Sequence, residues 1–277
     1  MFTVDINCPD CGTRHDVNFK ECPHCHKSND YYEKNRVPKR VAFMHPVAQL
    51  SLFGVGFSYA GMFLIEFLFG LFFDLAGISD VNKLLILGLS LTYCTMFAIL
   101  LSIILSTRKK YFFEFFTCGK DYGYGVLYAL AIIVLTLVYG SILNAFGLND
   151  AGNNANQQSI ESVVTSYPIY ASFILCIIGP ICEELTYRVG LYSFLRRINK
   201  YLAIIVTTIV FAFIHLSFTS ETIIEELISL PSYLIAGAIF AIAYEHRGPA
   251  CSITAHIVYN MFAVMIIFLN NYGYTYI

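Results

Sequence analysis

Residues 122–149 read YGYGVLYALAIIVLTLVYGSILNAFGLN, 28 residues without a charge. A helix needs about 20 apolar residues to cross a hydrocarbon core about 30 Å thick. The run exceeds that length, and its apolar residues are continuous where a barrel strand would alternate them. Six more uncharged stretches surround it: Val47 to Ile65 (19 residues), Leu84 to Thr107 (24), Ser162 to Cys182 (21), Tyr201 to Ser220 (20), Leu227 to Tyr244 (18) and Gly248 to Ile277 (30). The composition agrees. Of 277 residues, 57% are hydrophobic and 13% charged, whereas a soluble domain is about 25% charged, and the mean hydropathy is +0.64. A disordered or fibrous chain is excluded by the same figures. The expected fold is all-α and polytopic, with about seven transmembrane helices.

The basic residues set the orientation. With the N-terminus inside, 15 of the 17 Lys and Arg residues face the cytoplasm: seven between Arg14 and Arg40, then Arg108, Lys109, Lys110, Lys120, Arg196, Arg197, Lys200 and Arg247. The connections Asn149 to Glu161 and Glu221 to Glu226 hold acids but neither Lys nor Arg, as expected outside. The chain is therefore expected in the cell membrane as a multi-pass protein with a cytoplasmic N-terminus. The first of these connections, rich in Asn and Gln, reads as an exposed outer loop. Glu66 is expected at the outer interface. Tyr111 to Phe116, with Glu114 among aromatics, reads as an amphipathic stretch on the inner leaflet. The formal charge of −2 points away from nucleic acid as a partner.

Residues 1–30 differ from the rest. Cys8-Pro9-Asp10-Cys11 is followed by Cys22-Pro23-His24-Cys25, two C-x-x-C knuckles that can set four thiolates tetrahedrally around one Zn²⁺. These cysteines lie on the reducing side, which disfavours a disulfide pair. So short a segment cannot build an adequate core alone, and a structural zinc would supply much of its folding free energy. The pattern resembles a small zinc ribbon, open to a cytosolic partner. Residues 31–45, with Lys34, Arg36, Lys39 and Arg40, read as a basic juxtamembrane linker. Cys94, Cys118, Cys176, Cys182 and Cys251 are scattered singly and are expected to pack as small apolar residues.

Charges inside spans cost about 2.5–3.5 kcal/mol each on insertion scales and mark function by default. Three polar clusters stand out. The first is Glu183-Glu184-Leu185-Thr186-Tyr187-Arg188, in which Glu184 and Arg188 are spaced i, i+4 and can pair. Glu183, rotated about 100° away, is left as the candidate base. The second ends in His215. The third, His256-Ile257-Val258-Tyr259-Asn260, puts an imidazole and a carboxamide on one helical face. Together they read as a hydrolytic site: Glu183 with His215 would take a proton from water, and His256 with Asn260 would donate to the oxyanion as water attacks a peptide carbonyl. The alternative has each group satisfying another, with Glu184 on Arg188, Glu183 on a histidine and Asn260 on a backbone carbonyl.

These spacings resemble the CPBP family of intramembrane proteases, which includes the type II CAAX prenyl endopeptidase-like and Abi proteins. Its motifs E-E-x-x-x-R, F-x-x-x-H and H-x-x-x-N stand here in order as Glu183, Glu184 and Arg188; Phe211 and His215; His256 and Asn260. The resemblance covers about residues 120–270 and leaves the cysteine head as an added module. It implies a CAAX-protease-like helical bundle and glutamate-dependent peptide cleavage. Glu183 and His215 would activate water, His256 and Asn260 would form the oxyanion hole, Glu184 and Arg188 would brace the site, and Phe211 would pack beside it. No H-E-x-x-H pattern is present, which favours catalysis without a metal.

The expected organisation is a zinc ribbon over 1–30, a linker over 31–45, two transmembrane helices with an interfacial segment over 46–119, and a protease core over 120–272. The expected activity is intramembrane endoproteolysis of a peptide or membrane-protein substrate met in the lipid bilayer. The competing reading is a non-catalytic membrane scaffold or bacteriocin-immunity protein. One expectation conflicts with the rest. At 1.5 Å per residue, Glu183 comes out roughly 8 Å from the inner surface and His256 roughly 10 Å, but His215 roughly 22 Å. Span five must then start below the bilayer plane, tilt or break.

Overall fold

A computed structural model describes residues 5–8, 11–16, 19–27, 38, 40–60, 63–77, 80–148, 154–217 and 223–272. Most of the expected basic linker, including Lys34, Arg36 and Lys39, lies outside the described residues, as does the side chain of Glu66. The head contains a two-stranded antiparallel ribbon, β1 (Asp5–Asn7) and β2 (Arg14–Asp16), with Ile6 opposite His15. The rest is helical: α1 (Pro46–Ala60), α2 (Phe63–Leu75), α3 (Val81–Glu114), α4 (Gly119–Ala145), α5 (Ala155–Ser166), α6 (Pro168–Arg196), α7 (Lys200–Phe213), α8 (Ile223–Arg247) and α9 (Pro249–Tyr272).

Five of these, α3, α4, α6, α8 and α9, are long and apolar enough to cross a membrane, and α7 is a shorter apolar helix. The all-α polytopic architecture holds, with differences from the expected spans. The first expected span is divided between α1 and α2. Helix α7 has 14 residues and at 1.5 Å each rises only about 21 Å. The aromatic stretch around Glu114 is not a separate surface segment but the last turn and cap of α3, where Phe112 is buried and the Phe115 ring packs at a tilt against Phe43 with centroids 4.7 Å apart. The Asn-rich connection is not an open loop from residue 154 onward. Asn154 is buried and caps α5 by accepting from the amide of Gln157.

Local chemistry sets the boundaries. Asp80 accepts from the amide of Lys83 to start α3, and Asn199 accepts from the amides of Tyr201 and Leu202 to start α7, the usual side-chain solution for orphan N–H groups. Helix α4 ends at Gly147, whose φ of +73° lets Leu148 and Gly147 donate back to Leu143 and Asn144. Gly248, at φ +83°, turns α8 into α9, where Pro249 costs no hydrogen bond.

Helix α6 is continuous over 29 residues but includes two π-helical segments, Ile174–Ile178 and Leu185–Tyr192. It ends at Arg196, so Glu183 sits near the middle of the helix, and the depth conflict disappears. Thirteen residues separate Glu183 from Arg196, at most about 20 Å, which matches the level reached by His215 beyond the end of α7.

Helix α1 packs on the second π segment through glycines. A Cβ on Gly190 would lie 2.8 Å from the Phe53 amide nitrogen, and one on Gly56 would lie within the Thr186 side chain. At the C-terminal end of α6, Arg196 binds Glu245 at 3.0 Å, Tyr192 donates to the same carboxylate, and Arg197 donates to the carbonyl of Met44. Leu127, Leu130, Val134, Leu137 and Val138 of α4 are exposed, a stripe suited to lipid. The central core of Ile132, Tyr187, Phe211, Ala236, Phe240 and Ala255 surrounds a polar cluster carried by α6, α7 and α9.

Candidate active site

Glu183 and Glu184 end the α-helical stretch between the two π segments of α6. Successive side chains diverge by about 100°, and the two carboxylates take different surroundings. Glu184 is fully buried and meets Arg188 at 3.3 Å, one turn along the helix. Arg188, also fully buried, donates to the carbonyl of Gly237 on α8 at 3.0 Å and lies over the Phe211 ring at 4.6 Å. Gly237 suits that approach because a Cβ there would press on Phe211 at 3.1 Å.

Glu183 faces a different space. Its Oε1 accepts from the Tyr93 hydroxyl of α3 at 2.9 Å. Its Oε2 is buried without a hydrogen-bond partner, 3.8 Å from His256 Nε2 and 4.0 Å from His215 Nε2. The structure therefore brings Glu183, His215 and His256 together from three elements. His215 lies just past the end of α7, where Phe211 offers it a carbonyl. Its Nδ1 donates there at 2.7 Å, which leaves Nε2 with the lone pair in the neutral ring. His256 stacks on Phe240 with centroids 4.2 Å apart, and its Nδ1 meets Glu184 Oε1 at 3.1 Å. An imidazole gripped by a ring on its face and a carboxylate at Nδ1 is held in one rotamer, with Nε2 turned toward Glu183.

Asn260 lines the same cleft, but one of its N–H groups donates to the carbonyl of Leu175 at 2.9 Å. The reason lies in the chain. In the π register the amide of Gly179 reaches Ile174, so the partner of Leu175 would be residue 180, which is proline and has no N–H. Asn260 supplies the missing donor. His256 and Asn260 thus share a helix and a cleft, while one amide hydrogen of Asn260 is committed to the backbone. Phe211 packs between Arg188, His215 and His256.

The cleft holding these groups is walled by Leu89, Leu175, Tyr233, Phe240 and Val264. A second lobe meets it at Tyr93, Glu183 and His215. Tyr93 was not among the sequence candidates. The signal for it is weak but physical: Ser90 and Ser102 on the same helix return their hydroxyls to their own backbone at Ile86 and Ala98, which a tyrosine cannot do, so its O–H must find a partner elsewhere.

Residues 165–262 match the Rce1-like family of type II CAAX prenyl endopeptidases. The matched segment carries Glu183, Glu184, Arg188, Phe211, His215, His256 and Asn260 and is narrower than the stretch of about 120–270 over which the motifs suggested a resemblance. Tyr93 lies outside it. The chain is 26% identical over 226 residues to an uncharacterized protein of Mycoplasma capricolum subsp. capricolum, covering 74% of this chain and 63% of that one. It is 24% identical over 145 residues to the UPF0177 protein YvdC of Lactococcus lactis subsp. lactis, covering 52% of this chain and 50% of that one. The chain thus spans between half and two thirds of these curated relatives. No solved structure matches it.

In the head, the sulfurs of Cys8, Cys11, Cys22 and Cys25 lie within 4.8 Å of one another, with Cys8–Cys25 at 3.7 Å and Cys11–Cys22 at 3.5 Å. None is paired in a disulfide. Hydrogen bonds from the Thr13 side chain and backbone pull the Cys11 thiol down to about 6, so it offers a thiolate at neutral pH. Four sulfurs this close fit a metal ion such as zinc. The remaining cysteines behave in two ways: Cys176, Cys182 and Cys251 are buried, while Cys94 and Cys118 are exposed.

Proposed function

We propose that this chain is an intramembrane endopeptidase that hydrolyses peptide bonds with a glutamate-activated water. The observation that carries the reading is Glu183 Oε2, a buried carboxylate oxygen without a hydrogen-bond partner, set between two histidine Nε2 atoms at 3.8 and 4.0 Å. An orphaned buried acceptor costs about 1–3 kcal/mol, and a native fold tolerates that cost where the group has work to do. The separations are too long for direct hydrogen bonds and suit a bridging water.

The proposed steps follow from the donors and acceptors. A water held by Glu183 and the lone pair of His215 loses a proton to Glu183 as its oxygen bonds to the peptide carbonyl carbon. Negative charge gathers on the carbonyl oxygen, where His256 donates from Nε2; with Nδ1–H held by Glu184, that donation requires the doubly protonated ring, in which both nitrogens carry a hydrogen. The free N–H of Asn260 lies in the same cleft as a second donor. When the C–N bond breaks, the proton on Glu183 passes to the departing amine, which returns the carboxylate to its starting form. Tyr93 fixes the rotamer of Glu183 throughout, and Arg188 holds Glu184 in place behind His256.

In the head, Cys8, Cys11, Cys22 and Cys25 would hold one structural Zn²⁺. Four Zn–S bonds of about 2.3 Å in a tetrahedron place the sulfurs about 3.8 Å apart, close to the 3.7 and 3.5 Å spacings here. Such an ion supplies folding free energy to a segment too small for a core of its own.

The test is comparative peptidomics of membranes carrying the wild-type or the Glu183→Gln chain. Peptides released by the wild type and absent with Glu183→Gln are the expected result. Identical peptide sets would remove the assigned base and leave a binding-only membrane protein as the better account.

A further inference from the structure

The cleft lies toward one end of the bundle. Its walls come from the parts of the helices nearest the α5 end of the bundle: Leu89 early in α3, Leu175 early in α6, Ile267 late in α9. On the opposite side it is closed by packed rings and charges. Phe240 lies flat on His256, Arg188 and Glu184 fill the space behind it, and Tyr187, Tyr192 and Tyr244 are fully buried. That closed side leads to Arg196, Arg197 and Arg247, the end that the distribution of basic residues assigns to the cytoplasm.

Helix α5 lies across the open end as a roof. Asn156, Gln157, Ser159 and Ile160 face the cleft, and both ends of the helix are tied down by side chains. At its start, the Ala155 amide donates to Glu226 at 2.9 Å, and Asn154 and Asn156 both donate to the Tyr233 hydroxyl at 3.1 Å. At its far end, Asn82 donates to Ser166 at 2.8 Å and accepts from Ser162. The first set of ties has a second attachment. Tyr233 stacks on His215 with centroids 4.8 Å apart and planes 21° apart. Glu226, fully buried, also accepts from the amide of Ser217 at 3.1 Å. The same two side chains hold the roof and the segment that presents His215. Docking of α5 and placement of His215 are therefore one event.

We infer that the cleft is loaded from the outer face of the membrane, beneath α5, and that it takes an extended polypeptide segment with uncharged side chains. The substrate class rests on the peptidase reading; the side of entry does not. Among the described residues that line it, Glu183 is the one acid and neither Lys nor Arg is present, so a charged substrate side chain would lose its hydration with little to replace it. Leucine, isoleucine and valine walls with asparagine and glutamine at the mouth suit apolar side chains on a peptide backbone that needs hydrogen bonds.

The experiment reads access directly. Ala263, which lines the cleft on α9, is replaced by cysteine, and right-side-out and inverted membrane vesicles are treated with a membrane-impermeant sulfonated methanethiosulfonate. Modification is followed peptide by peptide by mass spectrometry, with the exposed Cys118 at the start of α4 as the marker of the other side. The expected result is labelling at residue 263 in right-side-out vesicles and its loss in inverted ones, with Cys118 showing the reverse. Labelling at 263 from the Cys118 side, or equally from both, overturns the inference.

The ties are tested by Asn154→Ala with Asn156→Ala in the Ala263→Cys chain. The two bonds to Tyr233 and the Asn154 cap on the Gln157 amide are lost together, and at about 1 kcal/mol each this should raise the open population, and the labelling rate at 263, by roughly tenfold or more. An unchanged rate overturns the roof. The assay needs no turnover, so a Glu183→Gln chain must give the same pattern. Failure of the peptidase reading and failure of outer loading are thereby read separately.

Discussion

Replacing Gly56 by alanine should destabilise the fold, whereas the same change two residues away should not. Both glycines lie in α1, so both substitutions gain the same helix propensity, about 1 kcal/mol. A Cβ at Gly54 meets nothing within 4 Å. At Gly56 it would fall 1.6 Å from Thr186 Oγ1 and 2.5 Å from both Thr186 Cβ and Cγ2. Thr186 cannot swing away freely, because it is buried and its hydroxyl is bonded to the carbonyl of Cys182. Overpacking of this kind costs about 1–3 kcal/mol, and overlap with three atoms places it at the upper end. Because the propensity gain is shared and cancels, Gly56→Ala should be less stable than Gly54→Ala by about 3 kcal/mol, a melting-point difference of several degrees. The assay is thermal unfolding of the purified chain in one detergent, followed by loss of the monodisperse chromatographic peak. Adding Thr186→Ala to Gly56→Ala removes two of the three overlapping atoms and should recover part of the loss, a coupling that independent sites do not show. Equal stability of the two alanine variants would refute the close approach of α1 to the π segment of α6.

Three further outcomes are expected. Arg188→Met leaves the Glu184 carboxylate buried with its cation gone and should cost about 3–5 kcal/mol; Arg188→Met with Glu184→Gln should regain most of that in the same unfolding assay. Tyr93→Phe removes the hydroxyl that holds Glu183, a bond to a charged acceptor worth about 1.5–3 kcal/mol, so melting should fall by a few degrees and the yield of Glu183-dependent peptides by about ten- to a hundredfold. Zinc should co-purify at one ion per chain, and Cys22→Ser or a strong chelator should release it and expose the head to protease; retention of metal in Cys22→Ser would exclude the four-cysteine site.

Much of the site can be read in the sequence because charges in a membrane are costly enough to be conspicuous. Glu183, Glu184, Arg188, His215 and His256 stand out against uncharged neighbours, and the i, i+4 spacing of Glu184 and Arg188 gives their pairing directly. The features that resist reading are those that depend on where a helix ends. The apolar run that stops at Cys182 suggests a span ending beside Glu183, but α6 continues to Arg196 because Glu184, Arg188 and the histidines neutralise one another and remove the charge that would have marked a boundary. The same effect hides Glu226. Beside Glu225 it looks like a solvated acid in an outer connection, whereas two amides, Ala155 and Ser217, supply the donors that let it be buried. Tyr93 is hidden for another reason: a tyrosine among 20 carries no mark of the carboxylate it will meet 90 residues later.

The π segments connect these cases. Each inserts extra backbone into α6 and rotates the residues beyond it relative to an ideal helix, and such insertions cluster where geometry serves a site. The first leaves the Leu175 carbonyl without a donor because residue 180 is proline, and Asn260 is drawn across from α9 to satisfy it. The second starts directly after Glu184 and carries Arg188, so the pairing that braces His256 is made within distorted helix. The polar groups behind the cleft are thus recruited to one another: Asn260 to Leu175, Arg188 to Glu184 and Gly237, His215 to Phe211, Tyr93 to Glu183. Several buried polar atoms there lack a hydrogen bond, Glu184 Oε2, the Tyr187 hydroxyl and Arg188 Nε among them, and of these Glu183 Oε2 belongs to a residue that lines the larger cleft. Tyr93 holds the Glu183 carboxylate through Oε1 and leaves Oε2 without a bond of its own to break, which suits the proposed role of taking a proton from water.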